Sequence, residues 1–225
     1  MSRRTSQEWI ELLADEARFY PFPYTFSHYD PLPFPHYDEK ARNAQEKTGL
    51  KESVLVGQCK IDGKDVVLIV MDNRFMMGSL GTIAGELICR AFEHAMKKAL
   101  PVVAVVSSGG ARMHEGTYSL MQMVNTSAVV HSHHKKGLLY VAIITDPTLG
   151  GVSASFASLA DIIIAQPDAT FGFTGRRIIE DTLKAKLPDD FQNGAFALEH
   201  GAVDVLCQCT QMKATVAHIV KLHAR

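Results

Sequence analysis

PVVAVVSSGGARMHE, Pro101 to Glu115, is an apolar run that stops in a Ser-Ser-Gly-Gly turn and restarts as a helix. Val102 to Val106 is short and rich in β-branched residues, the pattern of a strand covered on both faces. In the turn Ser107-Ser108-Gly109-Gly110-Ala111-Arg112 the two glycines lack Cβ atoms, so the backbone takes positive φ freely and another group can approach closely. Alone, such a turn is equally a plain strand-to-helix connection. A second element of the same kind follows: the strand Leu138 to Thr145 runs into Asp146-Pro147-Thr148-Leu149-Gly150-Gly151 and then a helix of small residues.

Working outward, Val54 to Lys60 and Val66 to Met71 read as strands of a hairpin turning at Asp62-Gly63. A glycine-punctuated loop, Met71 to Gly81, leads into a helix predicted over Ile83 to Lys98, with Leu87, Ala91, Ala95 and Ala99 on one face. The next helix is predicted from Gly116 to Lys136, with Leu120, Met121, Val124 and Ala128 inward and Gly137 as its stop. Asp161 to Ala165, Thr170 to Phe173 and Val203 to Cys207 read as short strands, with helices from Arg177, over Asn193 to His200, and from Thr210. Repetition of strand, glycine turn and helix predicts an α/β domain of stacked β-β-α turns with parallel strands. A doubly wound nucleotide-binding fold competes, but neither turn fits GxGxxG or GxxxxGKS/T.

Residues 6 to 19 are predicted as an amphipathic helix carrying Trp9, Leu12, Leu13 and Phe19, with Ser6 as its N-cap. From Pro21 to Tyr37, prolines alternate with Phe22, Tyr24, Phe26, Tyr29 and Phe34. Prolines at this density forbid a helix, and the aromatics argue for an extended arm packed on a surface, its own or a partner's. Asp38 to Lys51 is charged and helical in pattern. The expected division is a helix and Pro/aromatic arm over 1–50 and a folded domain over 51–225.

The 225 residues are 47% hydrophobic and 21% charged, with 23 basic and 24 acidic side chains and a net charge of -1. That is an ordinary globular composition, and its charge balance gives no field favouring nucleic acid or an anionic membrane. The four cysteines are scattered and no apolar signal core opens the chain, which points to a reducing cytoplasm. No apolar run approaches the roughly 18 residues of a membrane span.

Two N–H donors, one after a strand and one at the start of a neighbouring helix, can converge on an oxygen that gains negative charge during reaction. Losing one such donor costs about 3 kcal/mol of transition-state stabilisation. The charge develops on a carbonyl, at a tetrahedral centre or as an enolate.

SGGARMHEG (Ser108 to Gly116), SLMQM (Ser119 to Met123), TDPTLGGVSASFASLAD (Thr145 to Asp161) and KLPDDFQ (Lys186 to Gln192) resemble the carboxyltransferase β subunit of bacterial acetyl-CoA carboxylase, of the crotonase superfamily. The likeness extends over roughly residues 50 to 222. It implies a crotonase-like (ClpP/crotonase) β-β-α superhelix and carboxyl transfer from carboxybiotin, on a separate carrier, to acetyl-CoA or a related acyl thioester, giving malonyl-CoA or an analogue. It implies oxyanion-stabilising N–H groups at Gly109, Gly110, Ala111, Gly150 and Gly151, holding either the thioester enolate oxygen or the biotin ureido oxygen. Substrate contacts are implied at Ser108, Arg112, Met113, Phe173 and Gly175. The implied partners are an α-type carboxyltransferase subunit, a biotin carboxyl carrier protein and a biotin carboxylase, in a hetero-oligomer whose site needs two different copies of the unit. The family's four-cysteine zinc ribbon has no counterpart before residue 54, so no zinc is expected, and Arg176 stands where the family's GFAGPR turn has proline. Both departures suggest a specialised biosynthetic relative. The alternatives are a stand-alone crotonase-type thioester decarboxylase or hydratase, which needs its own acid or base, and a scaffold whose arm recruits a partner.

Other residues invite bland readings. His131, His133 and His134 suit the C-terminal end of a helix better than a metal site. Cys207 and Cys209 alternate on a strand and face opposite ways. Arg112 is read either as a contact to a CoA phosphate or as a structural donor, and Glu115 as a base or, preferably, an acid in the first helical turn. Ser153 and Ser155 lack a partner histidine. Ala95-Met96-Lys97-Lys98 resembles a biotinylation tetrapeptide but lies mid-helix without the final methionine.

Overall fold

A computed structural model describes residues 4–25 and 29–223. In chain order the elements are α1 (Ser6–Leu13), β1 (Phe19–Pro21), α2 (Tyr37–Thr48), β2 (Val54–Ile61), β3 (Lys64–Met71), α3 (Thr82–Lys98), β4 (Val102–Ser108) and α4 (Thr117–Lys135). There follow β5 (Tyr140–Thr148), α5 (Gly150–Ser155), β6 (Ile162–Ala165), α6 (Arg176–Leu183), α7 (Gly194–Glu199), β7 (Val205–Leu206) and α8 (Cys209–Leu222).

The strands form one seven-stranded sheet whose spatial order is the chain order, β1 to β7. β1–β2 and β2–β3 are antiparallel, the second pair turning at Asp62-Gly63 as expected. From β3 to β7 all pairs are parallel. A doubly wound sheet reverses its order at a switch point. This one advances by one strand at every step, which excludes the competing architecture. Alternation along the strands sends Ile69, Ala104 and Ala142 into a core beneath α3, α4 and α5. Leu68, Val103 and Val141 enter a second core beneath α1 and α8. Burial on both faces explains why these strands read as unbroken apolar runs.

Several expectations need correction. The cap of α1 is Thr5, not Ser6: its hydroxyl accepts the Glu8 N–H while the Glu8 carboxylate accepts the Thr5 N–H, a reciprocal capping box. The helix ends at Leu13, and Phe19 belongs to β1. Trp9, Ile10 and Leu13 share the second core with strand residues, and Phe22 and Tyr24 of the arm pack on the first. Phe22 and Tyr24 thus lie on this chain's own core; Phe26 falls outside the described residues. Thr170 to Phe173 makes only an isolated bridge, Phe171 to Thr148, rather than a strand. Cys209 opens α8 instead of alternating with Cys207 on a strand.

The largest departure is α4. Leu120, Met121, Val124 and Ala128 face outward, Leu120 being 54% and Val124 57% exposed. Ser119, Gln122, Thr126, Val130 and His133 are buried instead. The buried hydroxyls are satisfied locally: Ser119 donates to the Gly116 carbonyl (2.8 Å) and Thr126 to that of Gln122 (2.9 Å). Gln122 fills the space over Gly85 of α3, where a Cβ would come within 2.4 Å of its Oε1.

Arg176, the departure from the family's proline, has a visible use. Its guanidinium donates to the carbonyls of Leu187 and Asp189 and pairs with Glu180, tying α6 to the KLPDD segment.

Candidate functional site

β4 and β5 are neighbours, with Val106 opposite Ile144 and, past a bulge, Ser108 opposite Thr148. Their two glycine turns consequently emerge side by side. Gly110 has φ +115°, and a Cβ there would lie 3.4 Å from the Gly150 Cα and 3.5 Å from the Gly151 nitrogen. Gly150, at φ +61°, is equally close in return, its Cβ position falling 3.2 Å from the Gly110 Cα. Positive φ at both residues, with a Cβ position tighter than ordinary contact at Gly150, makes glycine the fitting residue at both places.

The five N–H groups suggested by sequence are not equivalent. Gly109 donates to the Met77 carbonyl (2.8 Å), Gly110 to the Ser108 hydroxyl (3.0 Å) and Gly150 to the Phe173 carbonyl (2.8 Å). Those three are committed to building the turns. The N–H groups of Ala111 and Gly151 have no acceptor among the described residues. Gly151 is the second residue of α5, where a helical N–H has no partner within the helix. For Ala111 the cause is a neighbour: the Leu80 N–H holds the Gly110 carbonyl at 2.9 Å, and the Leu80 carbonyl accepts the Arg112 N–H at 2.9 Å. Because the peptide unit is planar and trans, a Gly110 carbonyl directed at Leu80 turns the Ala111 N–H away from it.

Exposed apolar side chains flank the two turns. Met113 is 86% and Phe173 62% exposed, and the exposed Met77 lies 3.3 Å from a Cβ placed on Gly109. Gly175 is the N-cap of α6 beside them. Ser108, expected to touch substrate, is buried and shapes the turn through Gly110.

Arg112 is corrected more sharply: at 2% exposure it faces the interior and no bound phosphate. It is paired with the Glu52 carboxylate, which lies 2.8 Å from Nη1. Burial opposes its charge, but the adjoining carboxylate outweighs that and holds the guanidinium protonated. Glu115 is likewise neither a base nor a first-turn acid of α4. Its Oε2 accepts the N–H and the hydroxyl of Thr82, each at 2.6 Å, so it caps α3. Sequence reasoning missed Glu52 and Tyr37, which complete this cluster, because no local pattern links residues so far apart.

The remaining candidates are structural. The Ser153 hydroxyl lies within donating distance of the Gly150 and Gly172 carbonyls, and Ser155 donates to that of Gly151. His133 packs edge-on against Phe92 with its Nε2 3.4 Å from the Leu100 carbonyl, and His134 pairs with Asp161 at 3.4 Å. Among the described residues no cluster of three or more His, Cys, Asp or Glu is arranged to hold a metal, and no helix is long and apolar enough to cross a membrane. A cavity of about 490 Å³ opens behind the ends of β4–β6, between the first turns of α1 and α8, and none of the ten candidate residues lines it. That cavity is separate from the half-site formed by the two glycine turns, which Met113 and Phe173 flank with exposed side chains.

The carboxyl transferase domain model matches residues 3–211. The acetyl-coenzyme A carboxylase carboxyl transferase subunit beta of Desulforamulus reducens is 51% identical over 98% of this chain and 77% of its own length. That of Clostridium novyi is 48% identical over the same shares. Among solved structures, transcarboxylase 12S, a hexamer with methylmalonyl-coenzyme A and methylmalonic acid bound, superposes with a TM-score of 0.82 at 23% identity, covering 97% of this chain and 41% of that one. A Pseudomonas malonate decarboxylase hetero-dimer gives 0.74 at 21% identity, covering 97% and 86%. At these identities the structures speak for the fold alone, and that fold is the crotonase-like α/β architecture.

Proposed function

The chain belongs to the carboxyl transferase domain family, among the acetyl-coenzyme A carboxylase beta subunits, and from that premise we propose that it transfers a carboxyl group to acetyl-CoA or a related acyl thioester. The observation that carries the proposal is the close approach of two glycine turns in which the Ala111 and Gly151 N–H groups have no acceptor among the described residues. When the thioester's α-carbon loses a proton, negative charge passes to the carbonyl oxygen. Two fixed donors lower the energy of that enolate without reorganisation. Carboxybiotin on a separate carrier protein would supply the carboxyl group to that carbon: its N–C bond to the carboxyl would break as the new C–C bond forms, and the ureido nitrogen left behind would take the proton that the α-carbon gave up. The committed N–H groups of Gly109, Gly110 and Gly150 make the frame, and Met113, Phe173 and Gly175 border the acyl group. An exposed half-site rimmed by apolar side chains fits a subunit completed by an α-type carboxyltransferase partner, served by a biotin carboxyl carrier protein and a biotin carboxylase.

The test is reconstitution of the chain with an α-type subunit, carboxybiotin and acetyl-CoA, measuring malonyl-CoA. Gly151→Val keeps the N–H but its Cβ would meet the Met123 sulfur at 2.7 Å; the displaced donor should lower kcat about 100-fold, the scale of one misplaced oxyanion contact. Absence of any carboxylated thioester, when a control pair forms it, would overturn the proposal, as would turnover of malonyl-CoA by this chain alone.

A further inference from the structure

Behind the Gly109-Gly110-Ala111 turn lies a buried charged cluster that the oxyanion chemistry itself does not use. Arg112 Nη1 donates to Glu52 Oε2 (2.8 Å) and to the Tyr37 hydroxyl (3.3 Å). Its Nη2 donates to Glu52 Oε1 and to the Ser79 carbonyl (2.9 Å), and its Nε to the Ser79 hydroxyl (3.1 Å). Tyr37 in turn donates to Glu115 Oε1 at 2.6 Å. The guanidinium therefore grips Ser79 while the Glu115 carboxylate grips Thr82, and Leu80 is held between them. Leu80 is the residue whose N–H fixes the Gly110 carbonyl, and with it the direction of the Ala111 N–H.

Burying a guanidinium and two carboxylates carries a heavy desolvation cost, and apolar side chains of equal volume often hold a fold as well or better. What they lack is direction. A forked cation and bidentate carboxylates set the angle of the groups they bind, and this cluster binds both ends of the segment that aims a peptide plane.

We infer that Tyr37 and Glu52 are positioning residues for the Ala111 N–H, acting through Arg112, Glu115 and the Ser79–Thr82 segment. Tyr37 begins α2 and Glu52 precedes β2, so the stretch preceding the sheet hairpin is part of the machinery of the site. The inference deepens the carboxyl transfer reading and rests on it for its catalytic consequence.

Tyr37→Phe removes one hydroxyl and keeps the ring that stacks on His114. In the reconstituted pair it should lower kcat about tenfold at unchanged KM for acetyl-CoA, the signature of a loss confined to the transition state. In the free chain, amide exchange at Leu80 and Arg112 should quicken roughly tenfold while that of Val105, inside β4, stays unchanged, because the loosening is local. Glu52→Gln should shift both readouts further in the same direction. Wild-type kcat and wild-type Leu80 exchange in Tyr37→Phe would overturn the inference. So would a kcat loss matched by the loss of folded protein, or exchange that rises evenly through the sheet, since either marks a purely structural role. Should the wild-type pair transfer no carboxyl group, the carboxyl transfer reading fails, and the exchange comparison still decides whether Tyr37 holds the turn.

Discussion

α3 and α4 lie side by side on the same face of the sheet, yet they are built with opposite polarity. α3 buries Leu87, Ile88, Ala91, Phe92 and Ala95 and leaves its charged residues to solvent, as a surface helix does. α4 buries Ser119, Gln122, Thr126 and His133 and exposes Tyr118, Leu120, Met121 and Val124. The difference is instructive because Met123 of α4 packs directly against Gly151, so the exposed apolar face borders the half-site. Exposed apolar side chains grouped in this way are unusual on a helix that packs beside a core, and the relatives of this chain are named as subunits.

The comparison breaks most readily at its largest contrast. Phe92→Ala, deleting a ring that meets Tyr140, Phe156 and His133 edge-on, should cost about 3–5 kcal/mol in denaturant unfolding. Leu120→Ala should change the stability of the isolated chain by no more than about 0.5 kcal/mol. Equal costs would mean that both helices face a core. A smaller effect sharpens the α3–α4 contact. Helix propensity alone makes Gly85→Ala stabilising by roughly 0.5–1 kcal/mol, but the new methyl would collide with Gln122. A net loss of about 1–3 kcal/mol is expected from overpacking, and a gain would show that the two helices separate freely.

The smallest effect is a pH dependence rooted in α4. Burial pushes the His133 pKa down, helped by His134 and opposed by the Leu100 carbonyl and Asp161. With the folded value below the unfolded one, the unfolded chain binds the extra proton as pH falls through the ordinary histidine range near 6.5. Stability contributed by neutral His133 is therefore complete above that range and declines as pH drops through it, levelling below the folded pKa. His133→Gln should reduce this slope in thermal melts between pH 7.5 and 5. Burial lowers His94 and His114 too, so part of the slope should persist; an unaltered slope would show that His133 titrates alike in both states.

Much of this was readable along the chain. The Asp62-Gly63 turn, the apolar strands and the paired glycines are local signals, since a turn type, two-sided burial and a missing Cβ each act over a few residues. Helix facing was not. Leu120, Met121, Val124 and Ala128 have helical spacing, and spacing tells that one face is apolar without telling which surface it meets. Nor could sequence tell which turn N–H groups are free, because Met77, Ser108, Phe173 and Leu80 decide that by where their oxygens and nitrogens fall. Arg112 meets Glu52 across 60 residues and Tyr37 meets Glu115 across 78, and no periodicity spans such distances.

By itself the sequence determined an α/β chain of repeated strand, glycine turn and helix, the two turns that matter, and the family to which they belong. Those are properties of short stretches, fixed by sterics and by the alternation of burial. Tertiary structure alone decided that the turns touch, that Ala111 and Gly151 keep unspent donors, that Arg112 works from inside, and that α4 shows its apolar face outward. Each of these depends on how distant segments share acceptors and space, and a linear pattern carries no record of that sharing.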